Sequence, residues 1–213
     1  MNNTRIRLPR VAGLALNVFP REKFRELRTE IVRKSIHFLI ALSPLLASYN
    51  RHLTMLFLMA GTLFYVYLES LRLAGVRVPF VSAITSAASR FRDQERFVLG
   101  PVTLGLGALL ALLLYPSPAA SIAIYALAFG DGFASLAGKL CGQIRPRFLF
   151  GKSLEGSCAC FIAVCMVAFR VSGDLRVSCI AALTAAAVEA LPLEDLDNLA
   201  IPVTVGLVMQ AIL

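Results

Sequence analysis

Seven apolar runs, separated by short polar segments, constrain the fold of this chain more than any other feature. They cover residues 36–49, 53–68, 99–115, 119–137, 158–171, 177–191 and 199–213. About 20 apolar residues cross a bilayer. Of the 213 residues, 58% are hydrophobic and only 16% are charged, whereas a soluble domain carries about 25% charged residues. A soluble fold is therefore excluded, and we predict an all-α polytopic membrane protein with about seven transmembrane helices.

A basic segment precedes the apolar runs. Residues 1–34 contain nine of the 21 lysines and arginines. Within residues 20–34, Phe24, Leu27 and Ile31 lie at helical spacing among charged residues, a pattern typical of an amphipathic helix on a membrane surface. We therefore predict a basic cytoplasmic or interfacial segment at residues 1–34, followed by a single transmembrane helical domain at residues 35–213.

The basic residues also predict the orientation in the membrane. With the N-terminus in the cytoplasm, 18 of the 21 lysines and arginines lie on the cytoplasmic side, and the exceptions are Arg51, Arg170 and Arg176. Cytoplasmic loops of membrane proteins carry such an excess. We therefore expect a cytoplasmic N-terminus, in a bacterial inner membrane or in the endoplasmic reticulum of a eukaryote. Because lipid headgroups and topology explain the net charge of +8, nucleic acid is not an expected partner.

Four acidic residues lie at or near the predicted cytoplasmic ends of apolar runs: Glu69, Asp131, Glu155 and Glu189. A charged group at membrane depth costs at least about 2.5–3.5 kcal/mol and is a functional candidate by default. Glu69 has an alternative role as the ion-pair partner of Arg72, three residues further along. For Glu155 the alternative is a structural role at a helix N-terminus, where the helix dipole stabilises a negative charge. Because all four converge on one layer of the bilayer, we predict a functional site there.

Small and polar residues surround Asp131 in the segment FGDGFASLAGK. They are Gly130, Gly132, Ser135, Gly138 and Lys139. On a helix, Ser135 and Gly138 share the face of Asp131. A stripe of small residues is usually a packing face, but packing alone does not explain the carboxylate. Glycines also let a ligand approach the backbone closely.

The segment GKSLEG at residues 151–156 has groups that suit a phosphate. It is not a Walker loop, because position 146 is proline and no strand precedes it. Lys152, Ser153 and the free N–H groups of a helix start nevertheless favour phosphate binding. The alternative for Lys152 is a position at the level of the lipid headgroups.

A third segment is acidic and contains Glu189, Asp197 and Asn198. Carboxylates beside phosphate-binding cations are typical of Mg²⁺ sites, in which one or two carboxylates and phosphate oxygens hold the metal. The alternative is a solvated acidic turn, which explains Glu194 well but explains Asn198 and the buried Glu189 less well.

Together these segments resemble the CTP-dependent lipid-alcohol kinases. This family includes dolichol and polyprenol kinases, phytol and farnesol kinases, and the yeast-type CTP-dependent diacylglycerol kinase. The resemblance extends from about residue 31 to the end of the sequence. The matching motifs are Arg33-Lys34-x-x-His37, Glu69-Ser70-x-Arg72, Gly130-Asp131-x-x-Ala134-x-x-x-Gly138, Lys152-Ser153-x-Glu155-Gly156, and Glu189 followed by Asp197-Asn198-Leu199-x-x-Pro202.

The resemblance implies that residues 35–213 form a kinase domain. Such a domain transfers the γ-phosphate of CTP to the hydroxyl of a lipid alcohol, with Mg²⁺ or another divalent cation. Asp131 is then the expected catalytic residue. The expected metal ligands are Asp131, Glu155, Glu189 and Asp197. The expected nucleotide- and phosphate-binding residues are Gly130, Gly132, Ser135, Gly138, Lys139, Lys152, Ser153, Gly156 and Asn198. Expected to support the lipid headgroup or the site are Arg33, Lys34, His37, Glu69 and Arg72.

Two alternatives stay open at this point. A CTP-dependent phosphatidate cytidylyltransferase would share the membrane setting, the nucleotide and an acidic metal site, but it forms pyrophosphate and a CDP-lipid. A secondary transporter would show repeated halves and polar groups near the bilayer midplane, whereas the polar layer here is on the cytoplasmic side. The sequence specifies neither the lipid alcohol nor the oligomeric state.

Overall fold

The computed structural model describes residues 21–76 and 97–213, without the side chains of residues 21–26 and 148. Every regular element in these two ranges is helical, so the predicted all-α class is confirmed for this part of the chain. The helices are α1 (Arg21–Ile40), α2 (Ser43–Leu73), α3 (Gly100–Leu114), α4 (Ala119–Leu140), α5 (Leu154–Ser172), α6 (Leu175–Glu189) and α7 (Asp197–Ile212).

Four of these helices are long and apolar enough to cross a membrane. They are α2, α4, α5 and α7, the last extended by a 3₁₀ turn to Glu194–Ile212. Helices α3 and α6 have 15 residues each, which at 1.5 Å per residue give about 22 Å, less than the roughly 30 Å hydrocarbon core. The prediction of about seven transmembrane helices is therefore not confirmed in the described ranges.

The first two predicted spans are divided differently in the structure. Helix α1 ends at Ile40, and the rest of both spans lies in α2, which is broken at Asn50 (φ −154°, ψ 103°). The Asn50 side chain accepts a hydrogen bond from the backbone N–H of Leu53 at 2.9 Å, as a helix N-cap does. The polar segment between residues 49 and 53 is thus a break within one 31-residue helix.

Helix α1 buries charged residues. Glu30, Lys34 and His37 are 1%, 1% and 4% exposed, whereas Ile31 and Leu39 are exposed. Because residues three and four apart share a helix face, α1 turns a charged face towards the other helices. The predicted interfacial helix, which would keep its charges in water, is not confirmed. The predicted boundary between residues 34 and 35 falls inside α1.

Helix α4 is the centre of the bundle. In the most apolar segment of α4, 67% of the residues are buried, whereas in the most apolar segment of α2 only 11% are. Alanines with no exposed surface, among them Ala123, Ala126 and Ala128 in α4 and Ala181 and Ala185 in α6, let the helices approach closely. A π-helical segment, Ala126–Asp131, interrupts α4. Such segments are frequent at functional sites, and this one ends at Asp131.

Candidate functional site

A cavity of about 420 Å³ brings together residues from all seven described helices and from the segments between them. Its volume is within the range of ligand sites, about 300–1,000 Å³. The predicted site residues that line it are Arg33, Lys34, His37, Asp131, Ser135, Gly138, Lys139, Lys152, Ser153, Gly156, Glu189, Asp197 and Asn198. The remaining five, Glu69, Arg72, Gly130, Gly132 and Glu155, do not line it.

Asp131 lines the cavity and is only 2% exposed. Its Oδ2 atom accepts a hydrogen bond from the buried ammonium group of Lys34. His37 Nδ1 is 3.2 Å from the same oxygen, and Ser135 donates a hydrogen bond to Oδ1 at 3.4 Å. A buried carboxylate is stable only when paired and hydrogen-bonded, so α1 supplies the cation that lets Asp131 exist inside the bundle.

Glu30 organises a second group of charges. Its Oε1 atom accepts a hydrogen bond from Arg33 at 2.7 Å and its Oε2 atom one from Lys139 at 2.6 Å. Burial alone would raise the pKa of Glu30, but Arg33, Lys139 and Lys34 outweigh it and lower this pKa from 4.5 to about 2. Glu30 therefore remains ionised at neutral pH and holds two cations at the cavity.

Glu30 is a site residue that the sequence analysis missed. The available signal was its spacing, because Glu30, Arg33, Lys34 and His37 recur at intervals of three, one and three positions and thus share one face of α1. The prediction of an amphipathic helix instead rested on apolar residues, among them Leu27 and Ile31.

Lys152 and Glu189, which both line the cavity, form an ion pair. Lys152 Nζ is 2.7 Å from Glu189 Oε1, and the Lys152 side chain is 33% exposed, so it can reach a ligand. The second carboxylate oxygen of Glu189, Oε2, is buried and has no hydrogen-bond partner in the described part of the chain. This oxygen is available to a ligand or cation.

Two neighbouring residues at the start of α7 also present oxygen atoms. Asn198 donates its Nδ2 hydrogen to Thr103 Oγ1 at 2.9 Å, which leaves its Oδ1 atom buried and unpaired within residues 21–76 and 97–213. Asp197 lines the cavity. Glu189, Asp197 and Asn198 all line the cavity, and carboxylate and amide oxygens are ligands that Mg²⁺ accepts.

The four acids predicted as metal ligands do not form one cluster. No group of three His, Cys, Asp or Glu side chains among the described residues is arranged to hold a metal ion. Asp131 forms an ion pair with Lys34, which hydrogen-bonds to its Oδ2 atom. Glu155 accepts hydrogen bonds from the backbone N–H groups of Gln143 at 2.9 Å and Ile144 at 3.1 Å, so it orders the loop before α5. Of the predicted set, Asp131, Glu189 and Asp197 line the cavity, and of these Asp131 is the one paired with Lys34.

Glu69 and Arg72 form the ion pair that the sequence analysis considered as an alternative. Arg72 donates to both carboxylate oxygens of Glu69 at 2.8 Å. Glu69, which is fully buried, also accepts the backbone N–H of Val98 at 2.9 Å. Val98 lines the cavity, so Glu69 acts on the site through the backbone of residues 97–99.

The glycines beside Asp131 serve helix packing. A Cβ atom at Gly130 would lie 2.8 Å from Val164 of α5, and one at Gly132 would lie 2.7 Å from the ring of Phe38 of α1. Neither glycine lines the cavity, and a role for them in ligand approach stays a prediction. Gly156 does line the cavity, and Ser153 accepts its backbone N–H at 3.1 Å as the N-cap of α5.

Three plant proteins are similar to this chain. It is 28% identical over 146 residues to a probable phytol kinase 1 of Oryza sativa subsp. japonica, a match that covers 60% of this chain and 46% of the rice protein. It is also 28% identical over 162 residues to probable phytol kinases of Triticum aestivum and Zea mays, with 67% of this chain and 54% of each plant protein covered. The chain thus spans about half the length of these relatives. No family model and no solved structure matches it.

Proposed function

We propose that this protein is a membrane-embedded kinase that transfers the γ-phosphate of CTP to the hydroxyl of a lipid alcohol. The observation that carries the proposal is Asp131, a buried carboxylate in a cavity lined by cations within apolar helices. The similar plant proteins are named as phytol kinases, which supports a lipid alcohol as acceptor. The choice of CTP is supported by the motif resemblance alone.

Asp131 acts on the attacking hydroxyl in this proposal. The alcohol oxygen forms a bond to the γ-phosphorus while the bond between that phosphorus and the bridging oxygen of the β-phosphate breaks, so that CDP leaves. The hydroxyl proton passes to Asp131. Phosphoryl transfer demands mainly positioning and charge stabilisation, which suits a carboxylate held in place by Lys34 and Ser135.

The cations of the cavity stabilise the phosphate groups. The side chains of Lys139 and Lys152 are 36% and 33% exposed, and that of Arg33 is 23% exposed. Each is held by a carboxylate, Glu30 or Glu189. Fixed cations lose little freedom when a ligand binds, and they stabilise the charge that develops on the transferring phosphoryl group.

Oxygen atoms at the end of α6 and at the start of α7 suit a divalent cation. Asp197, Glu189 Oε2 and Asn198 Oδ1 would hold Mg²⁺, and the nucleotide phosphates would complete its ligands. When bound, the ion neutralises charge on the β- and γ-phosphates. Glu155 is omitted from this set because its carboxylate binds the loop backbone.

The proposal requires the cavity to face the compartment that contains the nucleotide. The cytoplasmic orientation is supported by the basic residues around the cavity, which include Lys139, Arg145 and Lys152. Arg51 was assigned to the opposite side of the membrane from the cytoplasm. It donates to the carbonyl oxygens of Leu112 and Tyr115 at the C-terminal end of α3. The other end of α3 begins at Gly100, which lines the cavity.

Product analysis with purified protein tests the proposal. Phytol, farnesol, a polyprenol and a diacylglycerol are each incubated with CTP labelled in either the γ- or the α-phosphate. We expect label in the lipid from the γ-phosphate only, and none with the Asp131→Asn variant. Label from the α-phosphate, together with pyrophosphate, would establish a cytidylyltransferase instead. Equal turnover with ATP would overturn the choice of CTP.

A further inference from the structure

A second, smaller cavity is separate from the cavity that contains Asp131, here called the first cavity. Its volume is about 110 Å³, and it is lined by Leu112 of α3, whereas Gly100 and Leu104 of the same helix line the first cavity. The polar residues that line the second cavity are Arg51, Ser48, Ser117 and Ser121. The other lining residues are apolar, so none of the described residues around this cavity is acidic. The second cavity is therefore polar and positively charged.

The guanidinium group of Arg51 has hydrogen-bond donors that the fold does not use. Its Nη2 atom donates to the carbonyl oxygens of Leu112 and Tyr115 at the C-terminal end of α3, and these bonds account for two of the five N–H groups of an arginine. Within residues 21–76 and 97–213, Arg51 forms no ion pair and its Nε and Nη1 atoms make no hydrogen bond. Capping of α3 therefore leaves three N–H donors and an uncompensated positive charge at the second cavity.

The serine hydroxyls of the second cavity are also available. Ser117 precedes α4 and Ser121 lies in its first turn, and neither hydroxyl makes a hydrogen bond in the described part of the chain. Ser48 donates to the carbonyl oxygen of Leu45 at 2.6 Å, so its own oxygen can still accept a hydrogen bond. Arginine N–H groups and hydroxyls are donors to anionic oxygen atoms, and a planar guanidinium group matches phosphate with two parallel hydrogen bonds. The chemistry of the lining therefore suits a phosphate group.

The length of α2 places the second cavity at the level of lipid headgroups. The helix is broken at Asn50, and the segment from Arg51 to Leu73 is about 34 Å long at 1.5 Å per residue, slightly more than the roughly 30 Å hydrocarbon core. Tyr65, in the second half of this segment, lines the first cavity. Tyr49, two residues before Arg51, is 84% exposed, and tyrosines are enriched at membrane interfaces. Arg51 therefore lies at the headgroups of the leaflet opposite the first cavity.

We propose that the second cavity binds the phosphate group of a phospholipid, which thereby joins α2 to the start of α4. Basic pockets between transmembrane helices bind lipid headgroups. A volume of about 110 Å³ is well below the roughly 300–1,000 Å³ of sites for larger ligands, so the cavity admits a phosphate group and excludes a nucleotide. Leu113 and Leu114, which follow the lining residue Leu112, are 61% and 50% exposed and offer apolar surface to acyl chains. These leucines favour a phospholipid over free phosphate.

Lipid retention, measured by native mass spectrometry, tests this inference without turnover. The full-length protein in maltoside detergent is titrated with phosphatidylglycerol, with a glucosyl-diacylglycerol that has the same acyl chains but no phosphate, and with inorganic phosphate. We expect tighter binding of phosphatidylglycerol than of the glucolipid, and an affinity about tenfold or more lower for Arg51→Gln, which loses hydrogen bonds to a charged group. Arg176→Gln is the matched control, because Arg176 is exposed and lines neither cavity. It should leave the affinity within about twofold.

A second variant keeps the test decisive where Arg51→Gln does not fold. Ser117→Ala combined with Ser121→Ala retains Arg51 and its contact with α3, and it should lower the affinity for phosphatidylglycerol by about fivefold or more. Equal affinities for phosphatidylglycerol and the glucolipid, or unchanged retention in this double variant, would overturn the inference. Inorganic phosphate that binds as tightly as phosphatidylglycerol and displaces it would assign the site to a free anion and refute the lipid. Because the measurement does not use turnover, loss of the proposed kinase function would leave this result standing.

Discussion

The ion pair between Lys34 and Asp131 supports a prediction that separates folding from catalysis. Both side chains are almost fully buried, and removing one partner of a buried pair costs about 3–5 kcal/mol. For a chain of this size, 1 kcal/mol corresponds to about 2–4 °C in Tm. Asp131→Asn and Lys34→Met should therefore each lower the Tm by about 6–20 °C.

The double variant should regain most of this loss. With Lys34→Met and Asp131→Asn combined, no unpaired charge remains at this position, and replacing a buried pair by neutral groups is often close to neutral for stability. Activity should not return, because the carboxylate itself contacts the hydroxyl in the proposed mechanism. We expect a loss of about a hundredfold or more in all variants that lack it.

Thermal denaturation in detergent and turnover with CTP and phytol are measured for both singles and the double. The control combines Asp131→Asn with Arg72→Met, whose losses should add, because Arg72 pairs with Glu69, which is not a partner of Asp131 or of Lys34. Additive losses for Lys34 and Asp131 would refute the coupling. A double variant that recovers both stability and turnover would show that Asp131 is structural.

Three further predictions concern the other charges of the cavity. Lys152→Ala should raise the KM for CTP more than it lowers kcat, measured by steady-state kinetics; the reverse split would contradict its role in binding phosphate. Asp197→Asn should raise the Mg²⁺ concentration for half-maximal rate, by about tenfold, and an unchanged Mg²⁺ titration would remove Asp197 from the metal site. Because the pKa of Glu30 is lowered from 4.5 to about 2, its contribution to stability is complete above pH 4.5 and is lost as the pH falls through about 2. Glu30→Gln should therefore flatten the decline of Tm with acid, and an unchanged acid profile would refute this reasoning.

The location of the site was predictable from the sequence because charges at membrane depth are costly. Asp131, Glu189 and Lys152 lie in or beside apolar runs, so their presence called for a function, and the structure places all three at one cavity. The same reasoning identified Glu155, but its carboxylate binds backbone N–H groups of a loop. A sequence pattern indicates that a charged residue lies in an apolar region, but it does not indicate which group that residue contacts in the fold.

The pairing of charges was not predictable for the same reason. Lys34 and Asp131 are 97 positions apart, and Glu30 and Lys139 are 109 apart, so no local spacing connects them. Glycines are ambiguous in a similar way, because Gly130 and Gly156 look alike in sequence. An added Cβ atom would meet Val164 at Gly130 and the Ala134 carbonyl oxygen at Gly156, and Gly156 lines the cavity whereas Gly130 does not.

The buried charged face of α1 has a consequence for biosynthesis. This helix leaves the ribosome well before α4, which supplies Asp131 and Lys139 as its partners, and translation of the intervening 97–109 residues at about 5–20 residues per second takes roughly 5–20 s. During that interval we expect Lys34 and Glu30 to stay hydrated, with α1 at the membrane surface and its exposed Ile31 and Leu39 in the lipid. It docks only after α4 has inserted. Assembly of this site is therefore post-insertional, and a nascent chain stalled before residue 131 should leave α1 accessible to protease.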